Sequence, residues 1–433
     1  MNVRKMLRLG LFQLTAGGLS VLFLGVLNRV MRVELGLELL TVTILVGGGH
    51  YLGALIAIPF GYYSDRHPLW GYRRTIYILL GSVTAVSILV GSPWIVQWIA
   101  ASPGAGRVLI GFLFFLLEGI STYIAGTAYL SLITDLTDKS ERGQVTGWVW
   151  TLLMVGIIFT GILSGFALEP FSIERVVTLF TVAAVIILVF SITALVSQES
   201  RTTVLEAAPG ENLSAAFATI LRNRQARWFG AFLFLSMFSY FMQDVLLEPF
   251  GGEVFSLSPA ATTRFNAYMG TGVVAAMLLG GMRLIPSRGK SWTTSLGILL
   301  MVISFGSLAL SSIMTFPLLL PVLILALGLG AGFFTVGGVS LMMDMTSTHH
   351  TGLFVGAWTL IQAFARGPTA IVGGALFTGV VSLGLSAGQA YASVFALEAV
   401  GLLVSLVFLR QVAVEEFKRS VESFGKIAAE ALQ

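Results

Sequence analysis

Residues Ser131–Gly147 read SLITDLTDKSERGQVTG, and Ser340–Gly356 read SLMMDMTSTHHTGLFVG. The pairs Ser131/Ser340, Leu132/Leu341, Asp135/Asp344, Thr137/Thr346, Gly143/Gly352 and Gly147/Gly356 share one offset of about 209 residues, close to half the chain. In each copy a long apolar run ends at the Asp, a short polar loop follows, and a new apolar run begins at the Gly. The repeated unit is therefore helix, tight turn, helix. Two such units with matching hydropathy on either side imply two related halves.

The wider composition says what surrounds that unit. Of 433 residues, 56% are hydrophobic and 11% charged, which is the balance of a polytopic membrane protein and not of a soluble helical domain. A membrane-crossing helix needs about 20 apolar residues, and about twelve such segments are present. In order they lie near 10–33, 39–63, 75–97, 107–134, 144–168, 175–197, 227–250, 264–285, 291–312, 317–343, 353–382 and 390–410. The expected organisation is a six-helix half over 1–197, a cytoplasmic linker over 198–226, a second six-helix half over 227–410 and an amphipathic tail over 411–433. The first apolar run is long enough to be retained as a span after its basic start.

Lys and Arg are concentrated in the loops that share a side with the two ends of the chain, including Arg4, Lys5, Arg8, Arg66, Arg73, Arg74, Arg283, Arg288 and Lys290. That asymmetry predicts both termini in the cytoplasm of a bacterial inner or photosynthetic membrane. The mildly basic balance then reflects topology and anionic lipid headgroups, with no nucleic-acid surface expected. The chain has no cysteine, which excludes disulfides, thiolate metal sites and thiol catalysis. No paired nucleophile and base stands out, so no enzymatic role is expected.

Several polar residues interrupt the spans. Asn28, Arg29, Arg32 and Glu34 sit at the end of the first, either as snorkelling interfacial residues or as the charged rim of an internal cavity. His50 follows Gly47, Gly48 and Gly49, whose missing side chains admit either another helix or a flat ligand. A lone His in a span is more often a packing residue than a ligand. Glu118 stands alone in LLEGISTY of span four, Gln362 and Arg366 lie in span eleven, and Glu398 in span twelve. A mid-bilayer charge is costly, so Arg366 is expected to face the interior within salt-bridge reach of Glu118, Asp244 or Glu398.

The loop GYYSDRHPLWGYRR, Gly61–Arg74, carries Asp65 and Arg66 and then Gly71, Arg73 and Arg74. It resembles the signature loop between helices two and three of the major facilitator superfamily, stretched by His67, Pro68, Leu69 and Trp70. Such a carboxylate can sit at a helix N-terminus or pair with the arginines. The fold expected from this loop, the twelve spans and the repeat is that superfamily's, with two pseudo-symmetric six-helix halves, all α. Asp135 and Asp344 should then occupy equivalent helix ends on one face.

Span seven ends in FMQDVLLEPFGGEVF, Phe241–Phe255, where Gln243, Asp244, Glu248 and Glu253 crowd one helix end and Pro249, Gly251 and Gly252 are read as its stop. This segment, with RLGLFQ (Arg8–Gln13), GVLNRVM (Gly25–Met31) and Thr134–Leu136, resembles the PucC and LhaA group, the bacteriochlorophyll-delivery family. The resemblance covers essentially the whole chain. It implies a membrane protein of photosynthesis that binds or delivers chlorophyll or bacteriochlorophyll, as cargo, to light-harvesting or photosystem apoproteins, with pigment-synthesis enzymes as further partners. The chain departs from purple-bacterial members in span four, where Glu118 and Tyr123 stand in place of histidines.

Chlorophyll brings a planar apolar ring and a magnesium with an open axial position, which an imidazole, carbonyl or carboxylate can fill. His50, Glu118, Asn28 and Gln243 are the candidate pigment-contacting residues, His50 being the candidate axial ligand; no fixed metal site is expected. Arg29, Asp65, Arg66, Asp135, Asp244, Glu248, Asp344, Arg366 and Glu398 are candidates for intramembrane charge pairing or gating. The fold alone equally permits a proton-coupled transporter or exporter of a small amphiphile, with Glu118 or Asp244 as the titrating group. The tail, with Val414, Phe417, Val421 and Phe424 at three-four spacing, is expected to lie on the membrane surface or dock a partner.

Overall fold

The computed structural model describes residues 3–55, 67–137, 142–201, 223–314, 316–345 and 351–420. Among them twelve helical segments follow one another, ten long and apolar enough to cross a membrane, the bent pair an eleventh and Leu39–Leu55 a shorter apolar helix: Lys5–Glu34, Leu39–Leu55, Thr75–Ala101, Ala105–Leu136, Arg142–Ala167, Ile173–Leu195, the bent pair Arg224–Val245 and Leu247–Phe255, Pro259–Arg288, Lys290–Met314, Leu320–Asp344, Thr351–Ser382 and Ala387–Arg410. They are spans 1 to 12 below. Asp65 and Arg66 lie outside the described residues, as do most of the expected linker and the end of the tail. The outer surface is apolar, with Leu109, Phe166, Val185 and Ile303 all exposed. Lipid solvates such a surface, so the helices are held together by close packing and internal polar bonds.

Glycine provides that packing, and it does so twice. A Cβ on Gly81 of span 3 would strike Ser121 and Ala125 of span 4, and one on Gly297 of span 9 would strike Gly330 and Phe334 of span 10. The ion pair Arg74–Asp135 at 3.3 Å ties the start of span 3 to the end of span 4, and Lys290–Asp344 at 2.7 Å does the same for spans 9 and 10. Arg74 is separated from Lys290 by the same sequence distance that separates Gly81 from Gly297. The two aspartates therefore occupy equivalent helix ends, as the repeat predicted.

The halves meet along two seams. Span 2 packs on span 11, where a Cβ on Gly47 would collide with Ala370 and one on Gly374 with Thr43; span 5 packs on span 8, where Gly161 and Gly165 lie against Thr263, Ala260 and Arg264. Replacing each span by its counterpart six places along the chain turns one seam into the other, as a pseudo-two-fold axis between the halves requires. Gly47 and Gly48 thus admit span 11, and Gly49 lies against Phe115 of span 4. The glycines before His50 serve helix contact.

Span 7 departs from the sequence reading. Its helix stops earlier, at a 3-10 turn over Met242–Val245, and resumes through Pro249, Gly251 and Gly252 to Phe255 with a 47° bend. Pro249 is tolerated because it lies in the first turn of the resumed helix, where its missing N–H has no intrahelical partner to lose. Gly251 and Gly252 are contact points, against Phe265 and Arg29 respectively. Span 1 is irregular opposite this break, with π-helical stretches at Val21–Leu27 and Val30–Glu34.

The tail's described part folds back on its own chain. Phe417 is fully buried, Gln225 of span 7 donates to Glu416 at 2.6 Å and accepts from the Ala413 N–H at 2.8 Å, and Asn223 donates to Ser420 at 2.6 Å. Up to residue 420 the tail is thus held against the start of span 7 of its own chain.

Candidate functional site

His50 and Tyr51 lie in the last turns of the described part of span 2, and the Gly119 backbone of span 4 presses against the His50 carbonyl. That approach brings the next side chain, Glu118, to the imidazole: Nδ1 of His50 lies 2.7 Å from Oε2 of Glu118. The other oxygen of Glu118 accepts from the Thr122 hydroxyl at 2.7 Å. With Glu118 accepting at both oxygens, His50 donates through Nδ1. Among the described residues no hydrogen bond joins Nε2 to the protein.

Tyr51 crosses to the other half. Its hydroxyl donates to Oδ2 of Asp244 at 2.5 Å, and the Gln243 amide donates to Oδ1 at 2.5 Å. Tyr123, one turn from Glu118, has its ring centroid 5.3 Å from that of His50. Arg366 of span 11 lies with its guanidinium over Phe241, 3.7 Å from the ring centroid, and its charge acts on both Asp244 and the Tyr123 hydroxyl. Glu398 of span 12 is fully buried, and its charge and that of Asp244 act on each other. One polar cluster, built from spans 2, 4, 7, 11 and 12, therefore lies between the halves.

The duplicated scaffold shows that this cluster is not required by the fold. Gly328 presses against the Met269 carbonyl just as Gly119 presses against that of His50. By that equivalence the counterparts of His50, Glu118 and Tyr123 are Met269, Leu327 and Gly332. The second half packs the same helix pair with apolar residues, so the bonded imidazole and carboxylate are additional to what packing needs.

The Arg366 expectation is corrected. Among the described residues no carboxylate reaches salt-bridge distance of its guanidinium, and its Nε is buried without a partner. Asp244, the nearest candidate by charge, is bonded to Tyr51 and Gln243 instead.

Asn28 and the remaining charges form a second group. Asn28 is fully buried and donates to the Leu24 carbonyl at 2.9 Å and, across the halves, to the Val245 carbonyl at 2.7 Å. The break in span 7 frees that carbonyl, and Asn28 satisfies it. Arg29 is buried, donates to the Leu257 carbonyl at 2.8 Å and pairs with Glu34 at 3.2 Å. Arg32 holds Glu253 in a two-pronged bond at 3.0 and 2.5 Å, and the Tyr391 hydroxyl adds a third donor at 3.0 Å. Glu248 accepts from Asn266 at 2.5 Å and fills the space over Gly25. Neither the snorkelling end nor the cavity rim describes this group: it is a joint between spans 1 and 7, at the bundle end opposite Asp135 and Asp344.

Sequence reading missed Tyr51, Thr122 and Phe241. A tyrosine within an apolar span needs a partner for its hydroxyl, and that signal was present beside His50. It also missed Glu199, whose carboxylate accepts from the backbone N–H groups of Arg73, Arg74 and Thr75 at 2.7, 3.1 and 2.7 Å. Glu199 thereby caps the N-terminus of span 3, and Asp65 lies outside the described residues. No group of three or more potential metal ligands occurs among the described residues.

Comparison with known proteins agrees with this architecture. The chain is 31% identical to Protein PucC of Rhodovulum sulfidophilum over 398 residues, 86% of this chain and 84% of that one. It is 29% identical over 419 residues to the bacteriochlorophyll synthase 44.5 kDa chain of Rhodobacter capsulatus, 92% of each. In three dimensions it is similar to the D-xylose-proton symporter, with a TM-score of 0.73 and 14% identity over 96% of this chain and all of that one, a likeness of fold that agrees with the facilitator architecture. The family described as PUCC protein matches residues 26–417, and the chain belongs to that family.

Proposed function

We propose that this protein binds chlorophyll or bacteriochlorophyll between its two halves and hands it to light-harvesting or photosystem apoproteins, without chemistry on the ring. The observation that carries this reading is the His50–Glu118 pair. A carboxylate that holds one imidazole nitrogen and leaves the other free is the arrangement by which proteins orient a histidine toward a metal. The ring magnesium, with its open axial position, supplies the acceptor for such a nitrogen. A tailed pigment can enter sideways from lipid, so no continuous aqueous path is needed. Its delivery partners would meet it in a bacterial inner or photosynthetic membrane, with both termini cytoplasmic.

The test is the absorption spectrum of the gently purified protein and of its variants. Chlorophyll co-purifies with the wild type; His50→Ala removes most of it from protein that remains monodisperse, while Glu118→Gln retains a part. Undiminished pigment in His50→Ala would remove the proposed ligand.

One observation favours a second reading, a proton-coupled transporter of a small amphiphile. The Tyr51–Asp244 bond joins the two halves at a carboxylate, which is where protonation would loosen them. Proton uptake on addition of an amphiphile, in protein without pigment, would support it.

A further inference from the structure

Resting on the pigment reading above, we propose that the part of span 11 preceding Pro368 is a side door, which swings away from span 2 and lets a flat, membrane-dissolved ring pass from lipid to the His50–Glu118 pair. Pro368 is its hinge. A proline inside a helix offers no N–H to the carbonyl four residues back, so the Phe364 carbonyl loses its intrahelical partner and the helix yields there. The contacts on the two sides of the hinge differ. Beyond Pro368, span 11 is keyed into span 2 of the other half, with Ala370 over Gly47, Ile371 over Gly48 and Thr43 over Gly374. Before it, the helix is held by its own half: Trp358 is fully buried, stands edge-on to Phe229 of span 7 at 5.0 Å and donates to the Met345 carbonyl after span 10 at 3.0 Å. Ile361 lies against Gly230 of span 7. If the halves part at the Asp344 end, the first part of span 11 leaves with its own half while the second keeps its hold on span 2.

Two contacts hold the door shut just before the hinge. Arg366 of span 11 is hydrogen-bonded to the Tyr123 hydroxyl of span 4, and a Cβ on Gly367 would stand 3.3 Å from Leu52 of span 2. The candidate site lies immediately behind them, with the Tyr123 ring 5.3 Å from that of His50. Phe364 and Pro368 are both exposed, so door and hinge face the lipid, where a hydrocarbon tail can remain while the ring moves inward. The other seam is built differently. Span 5 has no proline, and span 8 has none along the stretch 260–270 that faces it through Gly161, Gly165 and Gly270. His50, Glu118, Asp244 and Arg366 come from spans 2, 4, 7 and 11, so the seam without a hinge is also the seam away from the site.

The experiment uses the absence of cysteine from the chain. One variant carries Leu52→Cys and Gly367→Cys across the hinged seam, and a second carries Ile158→Cys and Gly270→Cys across the other, where a Cβ on Gly270 would meet Ile158. Each full-length chain is reconstituted in phosphatidylglycerol vesicles, with its cysteine pair open or joined by a short bis-maleimide, and chlorophyll a is added. Pigment per repurified protein is then followed over time. Joining spans 2 and 11 should slow loading at least about tenfold, and joining spans 5 and 8 should change it by less than about twofold. Pro368→Ala, which restores the helical bond, should slow loading severalfold and leave the final amount of pigment unchanged. Loading that is slowed equally by both cross-links, or is not slowed by the one between spans 2 and 11, or runs at the wild-type rate in Pro368→Ala, overturns the proposal and leaves the pigment reading standing. A wild type that takes up no chlorophyll overturns both.

Discussion

His50 and Glu118 belong to different spans, and their side chains satisfy each other across 2.7 Å. Removing either leaves a buried polar group unpaired, so His50→Ala and Glu118→Ala should each lower stability by about 1–3 kcal/mol. The double variant should lose less than the sum, with a coupling of about 1–2 kcal/mol. Denaturation in detergent measures the cycle; strictly additive losses would mean that the bond contributes nothing.

Arg32 and Glu253 hold spans 1 and 7 together at one end of the bundle. If they latch the halves, Arg32→Gln should expose the seam between spans 2 and 11. The chain lacks cysteine, so Thr43→Cys, at a fully buried position against Gly374, provides a single reporter. Its labelling by a water-soluble thiol reagent should rise severalfold in the Arg32→Gln background. An unchanged rate would show that the latch does not govern opening.

Gly47 and Gly306 are both helical glycines with opposite surroundings. A Cβ at Gly47 meets Ala370 of the other half, while one at Gly306 meets nothing. Gly47→Ala should destabilise by about 1–3 kcal/mol through overpacking. Gly306→Ala should stabilise by about 0.5–1 kcal/mol through helix propensity. Melting curves of the two variants that moved in the same direction would contradict this account of the seam.

Glu199 takes three backbone N–H groups at the start of span 3. Glu199→Ala should cost about 1–2 kcal/mol and speed amide exchange at Arg73, Arg74 and Thr75. Exchange there as slow as in the wild type would place the cap elsewhere.

Hydropathy and the recurrence of a short motif are local properties, and they made the twelve spans, the two halves and the equivalence of Asp135 with Asp344 readable before any coordinates. His50, Glu118, Asp244 and Arg366 were visible too, because a polar residue in an apolar run stands out wherever it faces. Their partners did not follow from that visibility. His50 meets Glu118 across 68 positions, Tyr51 meets Asp244 across 193 and Arg32 meets Glu253 across 221. Such pairings depend on how helices rotate and cross once glycines let their backbones touch, and hydropathy has no term for rotation. Packing therefore decided that the glycines before His50 admit helices, that span 7 breaks ahead of its proline, and that Arg366 lies on Phe241 with no acid in reach.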